Sequence, residues 1–270
     1  MENNQSQKVG RCFEVKYSYL DFERLTSLPL EDKVLWTEQV ILNALKQSKN
    51  PSISCSWGKD SVVMVYLVRK FCKKAKVIFA NTLCEYKETY QYRDGMLAGF
   101  FKGMDYYETK PIKDFWQCVK EYGFPNKRES WTVKGEKANR TPKCCFYLKE
   151  YPLKEKQKDL GVDTVFIGLQ ATESMNRRLL FLRLGEFYHN KEEKINHCLP
   201  LAIWKDKDVF AYAEQQNIPM NAIYKIMKRN GCMFCTGFKN WQKVMAKYNQ
   251  KLYASILKEK TGQMVIQNCQ

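Results

Sequence analysis

The residues best suited to chemistry are grouped in Ser56-Trp57-Gly58-Lys59-Asp60-Ser61, between the stretch Ser52-Ile53-Ser54-Cys55 and the apolar run Val62 to Val68. A strand that enters a tight glycine turn and leaves as a helix aims the helix's unpaired N–H groups at the turn. Those amides and the positive end of the helix dipole both attract an anion, so the expected ligand is a nucleotide. A Walker loop is excluded, because Ile53 stands where that loop needs glycine and Asp60 where it needs Ser or Thr.

A second chemistry is written in the cysteines. Eleven of them, behind a polar start (Met1 to Lys8) with no secretory character, argue for metal or redox chemistry rather than a disulfide framework. Cys144-Cys145 and Cys232-Met233-Phe234-Cys235 together offer four thiolates. Adjacent cysteines fit one tetrahedral zinc poorly, whereas neighbouring irons of a [4Fe-4S] cube can each take one of them. Iron-sulfur is the favoured metal reading, and zinc is the alternative. Cys12, Cys55, Cys72, Cys84, Cys118 and Cys198 read as ordinary core or surface residues, and Cys269 as an exposed tail thiol.

Forty-five Lys and Arg against 29 Asp and Glu leave a net charge of +16, which suits a polyanionic or highly phosphorylated partner and equally a generally basic surface. No apolar run reaches the roughly 18 residues of a membrane helix. The expectation is a cytoplasmic protein. His189 and His197 fall in a charged insert and read as surface residues.

The elements that must hold these groups follow from periodicity. Apolar positions Val34, Leu35, Val40, Ile41 and Leu45 predict a helix from Leu30 to Lys46. Short buried strands are expected at Lys76–Ala80 and Thr164–Ile167, another at Asp105–Thr109, and helices from about Lys87 and over Lys207 to Gln216. Gly123 to Lys143, rich in Lys, Arg, Pro and Gly, reads as a loop or lid. Strands alternating with helices predict an α/β fold, a mostly parallel sheet with helices on both faces and the ligand at the strands' carboxyl ends. The expected organisation is a nucleotide-binding domain over residues 1–198 with a helical C-terminal part, residues 199–270, packed on it.

Ser-x-Gly-Lys-Asp-Ser resembles the pyrophosphate loop of the adenine nucleotide alpha-hydrolase superfamily. Over about residues 50 to 240 the chain is similar to its phosphoadenosine phosphosulfate reductase family. Asn81-Thr82-x-x-Glu85-Tyr86-x-Glu88-Thr89 matches the second-strand motif, with Asn81 where the family often has Asp. Gly168 to Arg177 resembles the Gly-(Ile/Leu)-Arg-x-x-Glu-Ser-x-x-Arg element at the nucleotide's phosphate or sulfate end, with Gln170 in place of the usual arginine. Pro200-Leu201-x-x-Trp204, Asp208-Val209 and Ile218-Pro219-x-Asn221 resemble the segment that follows. The resemblance implies that Ser56, Gly58, Lys59, Ser61, Asn81, Thr82, Gly168, Glu173, Ser174 and Arg177 bind an adenine nucleotide. It implies that Lys59 and Asp60 act on its phosphates and Mg²⁺. It also implies that Cys144, Cys145, Cys232 and Cys235 hold a [4Fe-4S] cluster, with Lys149 one helical turn from Cys145 near the cluster.

Two departures point away from sulfonucleotide reduction. The tail from Gly262 to Gln270 lacks the Glu-Cys-Gly-(Leu/Ile)-His segment that carries the reductases' nucleophile, and Lys59-Asp60-Ser61 resembles the complete loop of members that cleave ATP. The expected function is therefore an ATP-dependent, AMP- and pyrophosphate-forming enzyme that adenylates an acceptor, with tRNA or DNA as candidate acceptor, for thiolation with the [4Fe-4S] cluster supplying or relaying sulfur and a sulfur-donor or partner protein as a candidate partner. A homo-oligomer is expected. The first alternative is a reductase using Cys269. The second is a non-catalytic nucleotide- or nucleic-acid-binding protein with a structural cluster.

Overall fold

A parallel strand covered on both faces reads as a continuous apolar run, and Val77, Ile78 and Phe79 are all buried in such a strand. The computed structural model describes residues 15–125 and 142–268, with side chains to residue 260. Six strands, β1 (Pro51–Ser54), β2 (Lys76–Ala80), β3 (Tyr106–Thr109), β4 (Thr164–Ile167), β5 (Phe187–Asn190) and β6 (Ile195–Cys198), form one sheet in the order β3-β2-β1-β4-β6-β5. Every pairing is parallel except β5 with β6. The fold is the expected α/β class.

Eleven helices are present among the described residues: α1 (Tyr19–Ser27), α2 (Leu30–Lys46), α3 (Lys59–Phe71), α4 (Lys87–Ala98), α5 (Phe115–Tyr122), α6 (Lys143–Cys145), α7 (Tyr151–Asp159), α8 (Met175–Leu184), α9 (Asp206–Gln215), α10 (Trp241–Tyr248) and α11 (Gln250–Asn268). Helix α3 lies against β1 and β4, α2 against β6, and α7 against β2 and β3. The main core joins Ile53, Trp57, Val62 to Val65, Leu67, Phe166, Leu201 and Trp204. A second cluster gathers Cys84, Phe115, Cys118, Cys144, Leu148, Met245 and Ile256. None of the described helices is long and apolar enough to cross a membrane.

The sequence reading is corrected at two places. Leu35 falls on the solvent side of α2 at 64 % exposure, while Lys33, a charged residue, is 1 % exposed. The reason is an ion pair: Lys33 Nζ lies 2.6 Å from Asp208 Oδ2, which also accepts from the Lys205 amide at the start of α9. The insert holding His189 and His197 is the β5–β6 hairpin, whose charged tip hides two strands. His197, on β6 beside β4, is buried with Nε2 2.7 Å from Glu193, while His189 is exposed as expected. Residues 126–141 of the expected lid, together with Cys12 and Cys269, lie outside the described residues.

Removing one member of a buried ion pair leaves the other uncompensated. Asp208→Ala is expected to cost about 3–5 kcal/mol. A urea midpoint lowered accordingly at unchanged slope would confirm it, and a shift worth under about 1 kcal/mol would contradict it.

Candidate nucleotide and thiol site

From β1 the chain moves outward to β2 and β3, whereas β4 pairs on the other side of β1. The carboxyl ends of β1 and β4 therefore flank the crevice where strand order reverses, the place where α/β sheets bind ligands. The loop leaving β1 is fixed by Trp57, which is fully buried and held in the left-handed region at φ 57°. Such a backbone costs on the order of 1–3 kcal/mol and persists only where its surroundings impose it. Here the indole packs on Tyr92 and Tyr106 and donates to Tyr106 Oη at 3.4 Å. Gly58 then caps α3, whose first residue is Lys59.

Charge converges on that helix start. Lys59 Nζ, 5 % exposed, stands 2.7 Å from Asp60 Oδ2, 2.8 Å from Asp206 Oδ1 and 3.9 Å from Glu173 Oε1. Burial works against the ammonium, but Asp60 and Asp206 outweigh it and raise its pKa. Gln170 is buried and donates through Nε2 to Asp60 Oδ1, while its Oε1 has no hydrogen-bond partner among the described residues. Arg177 pairs with Glu173, and its pKa is lowered by burial and by the nearby charge of Arg229, with Asp60 opposing. Gly168, just past β4, packs closely on the start of α3: a Cβ there would lie 3.2 Å from the Asp60 carbonyl carbon and the Ser61 amide nitrogen, which would have to give by a few tenths of an ångström. Beside these groups a cavity of about 430 Å³ is lined by Gln170, Thr172, Glu173, Arg178, Lys205 and Asp206.

The sequence-predicted residues thus divide. Ser56, Gly58, Lys59, Asp60, Ser61, Gly168, Glu173 and Arg177 gather at the start of α3. Within the group, Ser61 Oγ closes the loop itself, accepting from the Ser56 amide at 3.1 Å and donating to the Gly58 carbonyl at 3.0 Å. Ser174 caps α8, its Oγ accepting from the Arg177 amide at 3.4 Å. Asn81 and Thr82, after β2, face other partners. Asn81 donates to Glu108 and accepts from Tyr90 Oη and the Leu83 amide. Thr82 donates to Glu85 Oε1 at 2.8 Å and lies 3.6 Å from Cys232 Sγ.

The thiols form the neighbouring centre. Cys144 and Cys145 end α6, which runs through a widened π turn, Phe146–Glu150, into α7. Such turns recur at functional sites. The loop of Cys232 and Cys235 reaches them by a bridge between Glu85 and Cys232 and by the Met233 amide donating to the Cys84 carbonyl at 2.7 Å. A hydrogen bond from Cys144, aided by Lys149 and Arg229, lowers the Cys145 pKa to about 6. The same hydrogen bond, with burial, pushes Cys144 up, and burial raises Cys232 to about 12. Burial disfavours the Lys149 cation, but Cys145, Cys232, Glu85 and Cys235 outweigh it and raise its pKa. Three thiols acting on one cation, with Cys144 beside Cys145, fit an anionic thiolate-held group in kind. They are not preassembled: among the described residues no three His, Cys, Asp or Glu side chains converge as a ready metal site. Vicinal cysteines on a helix point about 100° apart, so they meet a multinuclear group more readily than one ion.

Sequence reasoning missed Asp206, Tyr224 and Asn230 at the loop before α3, Arg229 beside Phe238 and the Cys232 segment, and Cys84 and Cys118 beside the thiols. Tyr224 Oη accepts from the Lys59 amide at 2.8 Å, and Asn230 Nδ2 donates to the Ser56 carbonyl at 3.3 Å. Each joins positions more than 140 residues apart, and the nearest sequence signal was the matched Asn221 and the Asn230-Gly231 turn before the CxxC.

Residues 50–238 match the phosphoadenosine phosphosulfate reductase domain. The chain is 28% identical over 236 residues to an uncharacterised protein of Methanocaldococcus jannaschii, covering 78% of this chain and 45% of that protein. It thus spans about half the length of that relative. It is 26% identical over 186 residues to an adenosine 5'-phosphosulfate reductase of Bacillus pumilus, covering 68% of this chain and 72% of the reductase. Its fold is similar to that of a phosphoadenylyl-sulfate reductase from Candida auris, solved as a phosphate complex, with a TM-score of 0.55 and 20% identity over 81% of this chain and 97% of that one. With the domain match running through both the phosphate loop and the CxxC, the chain belongs to the phosphoadenosine phosphosulfate reductase family, a family of enzymes of sulfur chemistry.

Proposed function

We propose that the protein binds Mg²⁺-ATP with its β- and γ-phosphates on the loop Ser56 to Ser61 and cleaves it at the α-phosphate. An acceptor oxygen would attack that phosphorus, the bond to the bridging oxygen would break, and pyrophosphate would leave. Sulfur would then displace AMP from the adenylated acceptor. The observation that carries this reading is the setting of Lys59. Its ammonium is held at the first turn of α3 by Asp60 and Asp206, a complete cation-and-carboxylate pair where a leaving pyrophosphate and its Mg²⁺ need both charges.

Each residue has a stated task. The amides after Gly58 receive phosphate oxygens, Lys59 neutralises charge developing on pyrophosphate, and Asp60 and Asp206 offer oxygens to the nucleotide's Mg²⁺. Arg177 and Arg229 clamp a phosphate on the side toward the thiols. Cys144, Cys145, Cys232 and Cys235 would hold the [4Fe-4S] group, with Lys149 balancing its charge; when bound, that group would supply or relay sulfur. The net charge of +16 suits a nucleic-acid acceptor. A second reading, reduction of a sulfonucleotide, is favoured by the name of the Bacillus pumilus relative.

Lys59→Ala is expected to lower AMP formation from ATP by about 10²- to 10³-fold, the range for losing one preorganised charge on a leaving group, with iron content unchanged. Equal turnover in the variant would remove Lys59 from the mechanism. Protein prepared without oxygen is expected to carry about four irons and four sulfides per chain, and Cys145→Ser to lose most of them. Zinc at about one per chain would replace the cluster reading with a mononuclear site.

A further inference from the structure

An anion reaching the start of α3 would meet an acceptor already in place. The Lys59 amide is among the first four of the helix and has no partner within it, yet it donates to Tyr224 Oη at 2.8 Å. A Cβ on Gly58 would lie 3.1 Å from the same oxygen, so a side chain there would crowd the hydroxyl by a few tenths of an ångström. The phenol is an unusually weak acid, its pKa pushed up to about 12 by burial, and so presents a neutral oxygen to the positive end of the helix dipole.

Tyr224 belongs to a short 3-10 turn, Ala222–Lys225, and its segment is sewn to the phosphate loop on either side of it. Asn221 Nδ2 donates to the Trp57 carbonyl at 3.4 Å and to Thr89 Oγ1 at 3.1 Å. Asn230 Nδ2 donates to the Ser56 carbonyl at 3.3 Å, and Thr89 Oγ1 donates to Asn230 Oδ1 at 2.9 Å. Two residues beyond Asn230 comes Cys232, bridged to Glu85. One stretch of chain thus touches three of the four residues Ser56 to Lys59 and ends in two of the four thiols.

We propose that Tyr224 is a positioning residue that competes with a pyrophosphate oxygen for the Lys59 amide, and that its displacement carries nucleotide occupancy to the Cys232–Cys235 segment. The inference rests on the loop being a phosphate site, as argued above. A charged acceptor makes a hydrogen bond roughly twice as strong as a neutral one, so phosphate wins the contest. The internal contact lowers apparent affinity by the fraction of molecules in which it is closed.

Hydrogen exchange of the full chain, with and without inorganic pyrophosphate and Mg²⁺, tests this on wild type and Tyr224→Phe. Pyrophosphate is expected to slow exchange at residues 56–61 of the wild type and to speed it at 221–235. Tyr224→Phe keeps the ring contact with Phe210. It is expected to exchange fast at 221–235 without ligand, to lose the response there, and to bind pyrophosphate roughly 3- to 10-fold more tightly, the value of one internal hydrogen bond. Protection at 56–61 with an unchanged 221–235 in the wild type would overturn the coupling and leave the phosphate reading standing. Weaker binding by the variant would make the hydroxyl a ligand contact and overturn the competition. No protection at 56–61 would remove the phosphate site, and the proposal with it.

Discussion

The first turn of a helix cannot satisfy its own amides, and in this chain that constraint falls at the crevice between β1 and β4. Trp57 is driven into the left-handed region and locked by full burial so that Gly58 can deliver the turn. Gly168 lets the exit of β4 come against the backbone of Asp60 and Ser61. Glu173, Asp206 and Arg177 reach the same point from three further directions, and Lys59 is fully countered there by carboxylates. Side chains that serve only the fold would not bring so much charge to one helix end, because burying it costs desolvation that only good pairing or a ligand offsets.

The two centres are joined by chain as well as by field. Arg229 acts electrostatically on Arg177 at the phosphate side and on Cys145 at the thiol side. Glu85, in the turn after β2, is hydrogen-bonded to Thr82 and bridged to Cys232, so the second-strand motif is built into the thiol centre. Lys149, in the widened turn after Cys145, is the cation that this centre holds for itself. The loop before α3 and the thiols are therefore joined through one stretch of chain, the arrangement that the proposed adenylation and sulfur transfer would need.

What could be read from the chain alone was what is local. The bounds of α2, β2 and β4 followed from period and apolar runs, and the strand–turn–helix passage from β1 into α3 from six consecutive residues. What escaped were effects set by distant partners. Leu35 faces solvent and Lys33 is buried because Asp208, far along the chain, supplies a counter-charge that periodicity does not encode. His197 read as a surface residue because the charged hairpin tip masked two four-residue strands. Asp206 and Tyr224 carried no local signal, and only the fold sets them on the start of α3. Asn81 kept its place in the motif, but its side chain fastens the turn after β2.

The most direct test of the central claim is product identity. The protein, prepared without oxygen, would be given α-labelled ATP with Mg²⁺, with and without pooled tRNA or DNA, and in parallel labelled adenylyl sulfate with a thiol reductant. The account predicts labelled AMP from ATP, increased by nucleic acid, and no sulfite from adenylyl sulfate. Sulfite from adenylyl sulfate with ATP left intact would contradict it and make the protein a sulfonucleotide reductase.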